Sequence, residues 1–289
     1  MSLELKEAIK IAKNQLSDAG IHDAENDAKE LYCNLMGIDR VGLMMRWTEI
    51  IQDNRLDAYF DLVEKRAAHT PLQHITGMQE FMGMTFKVNE NVLIPRMDTE
   101  TLVYEAVKKL ERGGDVLDLG TGSGAIGISI AKLCPKTKVT VSDISEAALA
   151  LAKENAAMNK VKVKAVRSDL LSAFKSRLGA KKFDMIISNP PYIATEVIRE
   201  LEPEVREHEP MLALDGGADG LDFYRIIAQD APNHLKKEGM LLLEIGHDQG
   251  YLVPALLRES GCFDSIEVIK DISGNDRVIT AHFTGHKKK

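Results

Sequence analysis

The sequence predicts an α/β fold: a mostly parallel, seven-stranded sheet covered by helices on both faces, preceded by a small helical bundle and a β-hairpin. Three observations predict it. After Gly113, short apolar runs alternate with stretches of helical periodicity, the pattern of a parallel sheet with crossover helices. The first seventy or so residues carry only the helical period. Between the two, Gly77 and Gly83 punctuate Phe81, Met84, Phe86 and Val88 as a hairpin would. The expected division is a helical domain over 1–75, a hairpin linker over 76–98 and an α/β domain over 99–289.

In the N-terminal part, Leu5, Ile9, Ala12 and Leu16 recur at helical spacing, and Gly20 follows the stop. Asp23 stands where it can cap a second helix carrying Ala24, Ala28, Leu31 and Leu35, which Gly37 ends. A third run covers roughly 53–68, with Leu56, Phe60, Val63 and Ala67 on one face and Pro71 beyond its end. No catalytic constellation appears here. His22 reads as a loop residue and Trp47 as a packing residue. A bundle without chemistry suits the holding of a partner.

Pro95 bars helix at Ile94, and Asp98 or Thr99 can cap the helix expected over 102–110. Arg96 and Glu100 can face a cleft; an ion pair at a domain junction is the equal alternative. The α/β alternation then opens with a strand at 116–119, the turn Gly120-Thr121-Gly122-Ser123-Gly124 and a helix over 125–133. A strand at 139–142 ends at Asp143, and Ser145 caps a helix running to about Met158. Strands follow at 161–166, leading to Ser168-Asp169, and at 183–188, leading to Asn189. Strands at 240–245, 265–270 and 277–283, with a helix over 251–260, complete the sheet.

At 289 residues, 44% apolar and 28% charged, the chain has the composition of a soluble protein of one or two domains. Its net charge of −7 shows no basic face and counts mildly against nucleic acid. Lys287-Lys288-Lys289 reads as a solvated tail. Cys33, Cys134 and Cys262 lack any metal-ligand or redox spacing, so reduced thiols are expected and no metal. With no signal pattern and no apolar run long enough to span a bilayer, a cytoplasmic location is expected.

The glycines after the first strand let the backbone pass close to a ligand. Asp143, at the end of the second strand, can accept two hydrogen bonds from ribose hydroxyls. Together they favour a nucleoside site over a plain turn. Gly120, Gly122 and Ala125 match dinucleotide spacing. The extra Gly124 and the preceding Asp118 fit better with S-adenosylmethionine, which has no pyrophosphate to seat on a helix N-terminus. Asp169 can accept from an adenine amino group, or equally act as a turn cap. Four strand ends thus carry Gly120, Asp143, Asp169 and Asn189, and open α/β sheets bind ligands at such ends.

Asn189-Pro190-Pro191-Tyr192 alone reads as a proline-rich turn, because two prolines cannot extend the strand. Beside a nucleoside site it reads as a clamp for a planar nitrogen. Such a nitrogen is a poor nucleophile, since its lone pair is delocalised. The Asn189 side-chain oxygen and the Pro190 carbonyl can accept its two hydrogens and build up electron density on it in the transition state. The prolines stiffen the carbonyls, and Tyr192 can stack on the flat group.

The glycine turn, Asp143 and the tetrapeptide resemble the Rossmann-like class I methyltransferases that act on planar nitrogen. Pro71-Leu72-Gln73-His74-Ile75-Thr76-Gly77, Ile94-Pro95-Arg96-Met97-Asp98-Thr99-Glu100, Glu209-Pro210 and Gly274-Asn275-Asp276-Arg277-Val278 narrow this. From about residue 71 to 283 the chain resembles the peptide chain release factor glutamine methyltransferases, the HemK/PrmC family. The resemblance implies methyl transfer from S-adenosylmethionine to the side-chain nitrogen of the glutamine in the Gly-Gly-Gln motif of class 1 release factors. It implies that Asn189 and Pro190 are catalytic, and that Asn189 to Tyr192 and Arg96 bind the substrate. Gly120, Thr121, Gly122, Ser123, Gly124, Asp143, Asp169, Leu170 and Asn189 would bind the cofactor, and the N-terminal helices would help dock the factor. The family usually has proline where Met97 stands, and some members a large aromatic where Leu170 stands. Neither change removes a hydrogen-bonding group, so both bear on affinity more than on activity.

The main alternative is an amino-methyltransferase acting on adenine or cytosine in DNA or RNA. It predicts a basic groove after the tetrapeptide. Here Glu196, Glu200, Glu202, Glu204, Glu207 and Glu209 follow instead. A module that binds the cofactor without catalysis predicts loss of Asn189 or of the glycines, and both are present.

Overall fold

The computed structural model describes residues 3–175 and 179–285; the three terminal lysines lie outside the described residues. The chain divides into two units. One takes the chain up to Met78 together with Glu202–His208, the other Gln79–Leu201 and the chain after His208. No described helix is long and apolar enough to cross a membrane.

The first unit is helical. Leu5–Asp18, Ala24–Met36 and Asp53–Ala67 form its long helices, and Leu5, Ile9, Ala12 and Leu16 are all buried in one cluster. Gly37, at φ +60°, ends the second helix in the left-handed conformation. Asp23 does not cap it: φ −103° and ψ 42° take the residue out of the extended conformation a cap needs, and its side chain makes no capping bond. Short helices Arg40–Met45 and Leu72–Thr76 were not legible in the periodicity. Trp47 packs against the cluster and His22 lies exposed in a turn. A buried ion pair crosses the bundle, Arg66 Nε to Asp27 Oδ2 at 2.7 Å, and Arg66 Nη1 also reaches Glu204 Oε1 at 2.7 Å. Glu204 thereby ties the Glu202–His208 segment into this unit.

The second unit holds the sheet: β1 Gly114–Leu119, β2 Thr137–Asp143, β3 Lys164–Arg167, β4 Phe183–Ser188, β5 Leu235–Glu244, β6 Phe263–Lys270 and β7 Asp276–Phe283. The strand order is β6-β7-β5-β4-β1-β2-β3. Pairs among the first five are parallel, and β7 runs antiparallel to both neighbours. Alternation sends Leu117, Ile186, Leu241 and Leu243 to one face and Val116, Met185, Ile187 and Leu242 to the other, so both faces are buried. The hairpin strands Met78–Phe81 and Met84–Lys87 are joined through Met82 and Gly83, both at positive φ, as a tight hairpin turn requires. Most of the expected linker goes with the sheet unit, because Phe81 and Phe86 sink into its core. The helix Asp222–Asp230, which buries Tyr224, Ile227 and Ala228, was not anticipated.

The register decides where chemistry collects. Leu119 of β1 stands opposite Ser142 of β2 and Ser188 of β4. The next residue of each chain, Gly120, Asp143 and Asn189, therefore leaves the sheet at one level. The chain builds outward from β1 to β3 and returns to the other side of β1 with β4, so this level is also the topological switch point.

Candidate active site

A cavity of about 390 Å³ opens at these strand ends. Arg96, Gly120, Thr121, Gly122, Ser123, Asp143, Asp169, Leu170, Asn189, Pro190 and Pro191 line it. Gly124 and Tyr192 do not.

The glycine turn needs its glycines for two different reasons. Gly120 and Gly122 have φ +71° and +53°, and a Cβ on either would meet no heavy atom within 4 Å. Gly124, at φ +85°, faces protein: a Cβ there would stand 2.6 Å from Ile128 Cδ1 and 3.1 Å from Ala152 Cβ. It lets the helix Ala125–Leu133 pack against the helix Glu146–Met158.

Asp143 ties two elements together. Its Oδ2 accepts from the Gly122 amide at 2.9 Å and its Oδ1 from the Ser145 amide at 2.9 Å. Each oxygen keeps a second lone pair. Ser145 caps the following helix, accepting from the Ala148 amide. Asp118 lies behind the turn, fully buried, with Oδ2 accepting from the Thr121 hydroxyl and the Gly127 amide. Burial pushes its carboxyl up to about 6, against the pull of those two donors. Asp169 is exposed, and its carboxylate takes no hydrogen bond among the described residues, so it is not a side-chain cap. Leu170, at φ +42°, adds an apolar wall.

Opposite the turn stands Asn189. Its Nδ2 donates to the Thr99 hydroxyl at 3.4 Å. Thr99 is buried in the 3₁₀ turn Met97–Thr99, and its hydroxyl makes no capping bond to the helix Glu100–Lys109. Thr99, one of the two expected caps, is thus an interior partner of the tetrapeptide. Pro190 is buried. The Tyr192 ring packs partly buried against the core cluster of one sheet face, so stacking on a ligand in the cavity is not what it does here. Burial, then Glu244, pushes the Tyr192 hydroxyl up to about 12. The Tyr192 carbonyl accepts from Gln249 Nε2 at 3.1 Å, and Gly216 and Gly220 press against the same backbone.

Arg96 both lines the cavity and forms an ion pair, Nη2 to Glu209 Oε1 at 2.7 Å. Burial raises the Glu209 carboxyl and Arg96 opposes that rise. Glu100 turns away and accepts from the Met82 amide at 2.6 Å. Met97 is 74% exposed. Of the acidic stretch after the tetrapeptide, Glu204, Glu207 and Glu209 are paired with arginines, so its repulsion of phosphate is weaker than the sequence suggests.

Sequence reasoning missed Glu244, the last residue of β5. It is 2% exposed, and its Oε2 has no hydrogen-bond partner among the described residues. Burial pushes its carboxyl up to about 7; the Thr99 hydroxyl, Arg277 and the Asn189 amide favour the charged form, and Asp98 opposes it. The signal was a lone acid closing the run Leu241-Leu242-Leu243. Among the described residues no cluster of three His, Cys, Asp or Glu side chains could hold a metal.

Residues 94–203 match the family model for the methyltransferase small domain, and residues 7–77 match that for the PrmC N-terminal domain. The release factor glutamine methyltransferase of Geobacter sulfurreducens is 39% identical over 275 residues, covering 95% of each chain. That of Caulobacter vibrioides is 40% identical over 281 residues, covering 96% of each. Among solved structures, a methyltransferase from Pyrococcus furiosus superposes with a TM-score of 0.52 at 20% identity, covering 71% of this chain and 91% of its own. A 16S rRNA N2 methyltransferase from T. thermophilus, in complex with AdoMet and guanosine, gives 0.50 at 19%, covering 71% and 49%. These two share the Rossmann-like fold. Full-length identity near 39% with curated relatives says more: the chain belongs to the release factor glutamine methyltransferase family.

Proposed function

We propose that this chain transfers a methyl group from S-adenosylmethionine to the side-chain amide nitrogen of the glutamine in the Gly-Gly-Gln motif of class 1 peptide chain release factors. The observation that carries the reading is the level exit of Gly120, Asp143 and Asn189 onto one cavity. Membership of the family supplies the substrate.

The residues present fit the cofactor. Gly120 and Gly122 leave open space where a side chain would stand, Asp143 retains lone pairs for ribose hydroxyls, and Asp169 has an uncommitted carboxylate beside apolar Leu170. When bound, S-adenosylmethionine supplies an electrophilic methyl on a sulfonium. The chain's own residues prepare the acceptor. Asn189 Oδ1 and the Pro190 carbonyl take the two amide hydrogens, which holds the nitrogen in line and favours the polarised transition state. As the new C–N bond forms, one of these protons leaves through the same acceptors or water. Arg96, held by Glu209, stands at the cavity for the peptide around the glutamine. The helical unit would help dock the factor, in the cytoplasm, where release factors work.

No observation favours a nucleobase over glutamine. The test is incubation with labelled S-adenosylmethionine and a class 1 release factor, beside the same factor with its motif glutamine replaced. Label is expected on the first only. Label on both, or on nucleic acid, would sink the assignment. Asn189→Ala should lower turnover on the order of 10²-fold, with a smaller change in cofactor affinity.

A further inference from the structure

We infer that Glu244 is a positioning residue that sets which end of the Asn189 side-chain amide faces the cavity. This rests on the proposed transfer to an amide nitrogen. An asparagine amide has two ends of nearly equal shape, and only its oxygen can accept a hydrogen from the substrate. Something behind Asn189 must take its NH₂ group.

The sheet puts Glu244 there. Ser188 of β4 pairs with Leu243 of β5, so Asn189 and Glu244 leave neighbouring strands side by side. Asn189 Nδ2 donates to the Thr99 oxygen at 3.4 Å, and the Thr99 hydroxyl in turn favours the Glu244 carboxylate. A charged carboxylate only accepts. It draws the Thr99 hydrogen toward itself, presents the Thr99 lone pair to Asn189, and so polarises a chain of one sense. A protonated Glu244 can donate. The chain then loses its sense, and Asn189 is free to turn its NH₂ group toward the substrate NH₂ group.

The alternative is that Glu244 merely neutralises Arg277. Arg277 is already satisfied, by Asp271 at 3.1 Å, Asp98 at 3.2 Å and the Ile245 carbonyl at 3.2 Å. The other groups around Glu244 are Thr99 and Asp98 on the 3₁₀ turn, Tyr192 after β4, and Tyr224, whose hydroxyl donates to the Glu244 backbone carbonyl at 2.8 Å. Tyr192 and Tyr224 are both held neutral by burial.

The experiment is an NMR titration of the Asn189 side-chain amide in the full chain, run beside steady-state kinetics with a release factor. The Asn189 NH₂ resonances should move with a midpoint near 7, where burial places the Glu244 carboxyl, and kcat should fall below that pH. In Glu244→Gln the titration should vanish. Its kcat at pH 8 should drop about tenfold, the worth of one transition-state hydrogen bond, and its acid limb should disappear while KM holds. Glu244→Asp, which keeps the charge, should keep an acid limb. Resonances that stay fixed between pH 6 and pH 8 in the unmodified chain would overturn the inference, whether or not a variant folds. So would a Glu244→Gln enzyme with unchanged kcat and pH profile. A titrating Asn189 amide in a chain that labels no glutamine would support this pairing and overturn the proposed substrate instead.

Discussion

Asn155 and Lys87 exchange two hydrogen bonds, side chain to backbone: the Lys87 amide donates to Asn155 Oδ1 at 2.7 Å, and Asn155 Nδ2 donates to the Lys87 carbonyl at 3.0 Å. The same Nδ2 also donates to the Ser123 carbonyl at 2.8 Å. One fully buried amide thus pins the end of the hairpin to the helix Glu146–Met158 and to the glycine turn. Only asparagine offers an acceptor and two donors at this reach.

Asn155→Ala should therefore destabilise the sheet unit and loosen the turn. Three backbone groups lose their partner, the buried Ser123 carbonyl and the part-buried Lys87 amide and carbonyl, at up to roughly 1–3 kcal/mol each before water compensates. We expect a loss of at least about 2 kcal/mol in urea unfolding, with a weaker S-adenosylmethionine affinity by calorimetry. A variant of unchanged stability would show that solvent replaces the amide freely.

The carboxyl-end site was legible because its chemistry is local. Gly120, Asp143 and Asn189 each follow an apolar run, and strand ends can be read from such runs. What could not be read is anything held by register or by partners distant in sequence. Asp23 and Thr99 have the residue type of a cap but not the backbone angles or the bond; Thr99 serves Asn189 instead. Tyr192 has the chemistry to stack, yet it packs partly buried against the core and does not line the cavity. Glu244 drew no notice within the strand expected at 240–245, because only the sheet order brings Asn189 beside it.

Gly220 was equally silent in the sequence and bears directly on the tetrapeptide. It sits at φ +73°, and a Cβ there would stand 2.3 Å from the Tyr192 carbonyl oxygen and 3.0 Å from Gln249 Nε2. Both are fixed, the oxygen by backbone and the amide by its bonds to Tyr192 and Gly220. Gly220→Ala should push the turn out of place and reduce turnover tenfold or more, on the order of a one-ångström misplacement at the site. Cofactor affinity should change far less. Gly274→Ala is the control, since φ is +85° but no atom lies within 4 Å, leaving only backbone strain of about 1–2 kcal/mol. Equal activity losses in the two variants would point to strain alone.

The raised carboxyl of Glu244 also predicts a pH-dependent stability of definite sign. Its ordinary value is 4.5 and the folded value about 7, so between these the folded chain holds a proton the unfolded chain has released. Stability from this group is full below about 4.5, falls as pH rises to about 7, and is level above that. The difference corresponds to about 3 kcal/mol at most. His234, lowered by burial, contributes the opposite slope, so the comparison must be between variants at each pH. Glu244→Gln keeps the shape, removes the charge and leaves Arg277 with Asp271 and Asp98. It should unfold at higher urea than the unmodified chain at pH 8, with the gap closing at pH 5. A gap that does not change with pH would mean that Glu244 titrates alike in both states. A stability gained at pH 8 together with lost turnover would show that this buried charge is retained at a cost to the fold for what it does to Asn189.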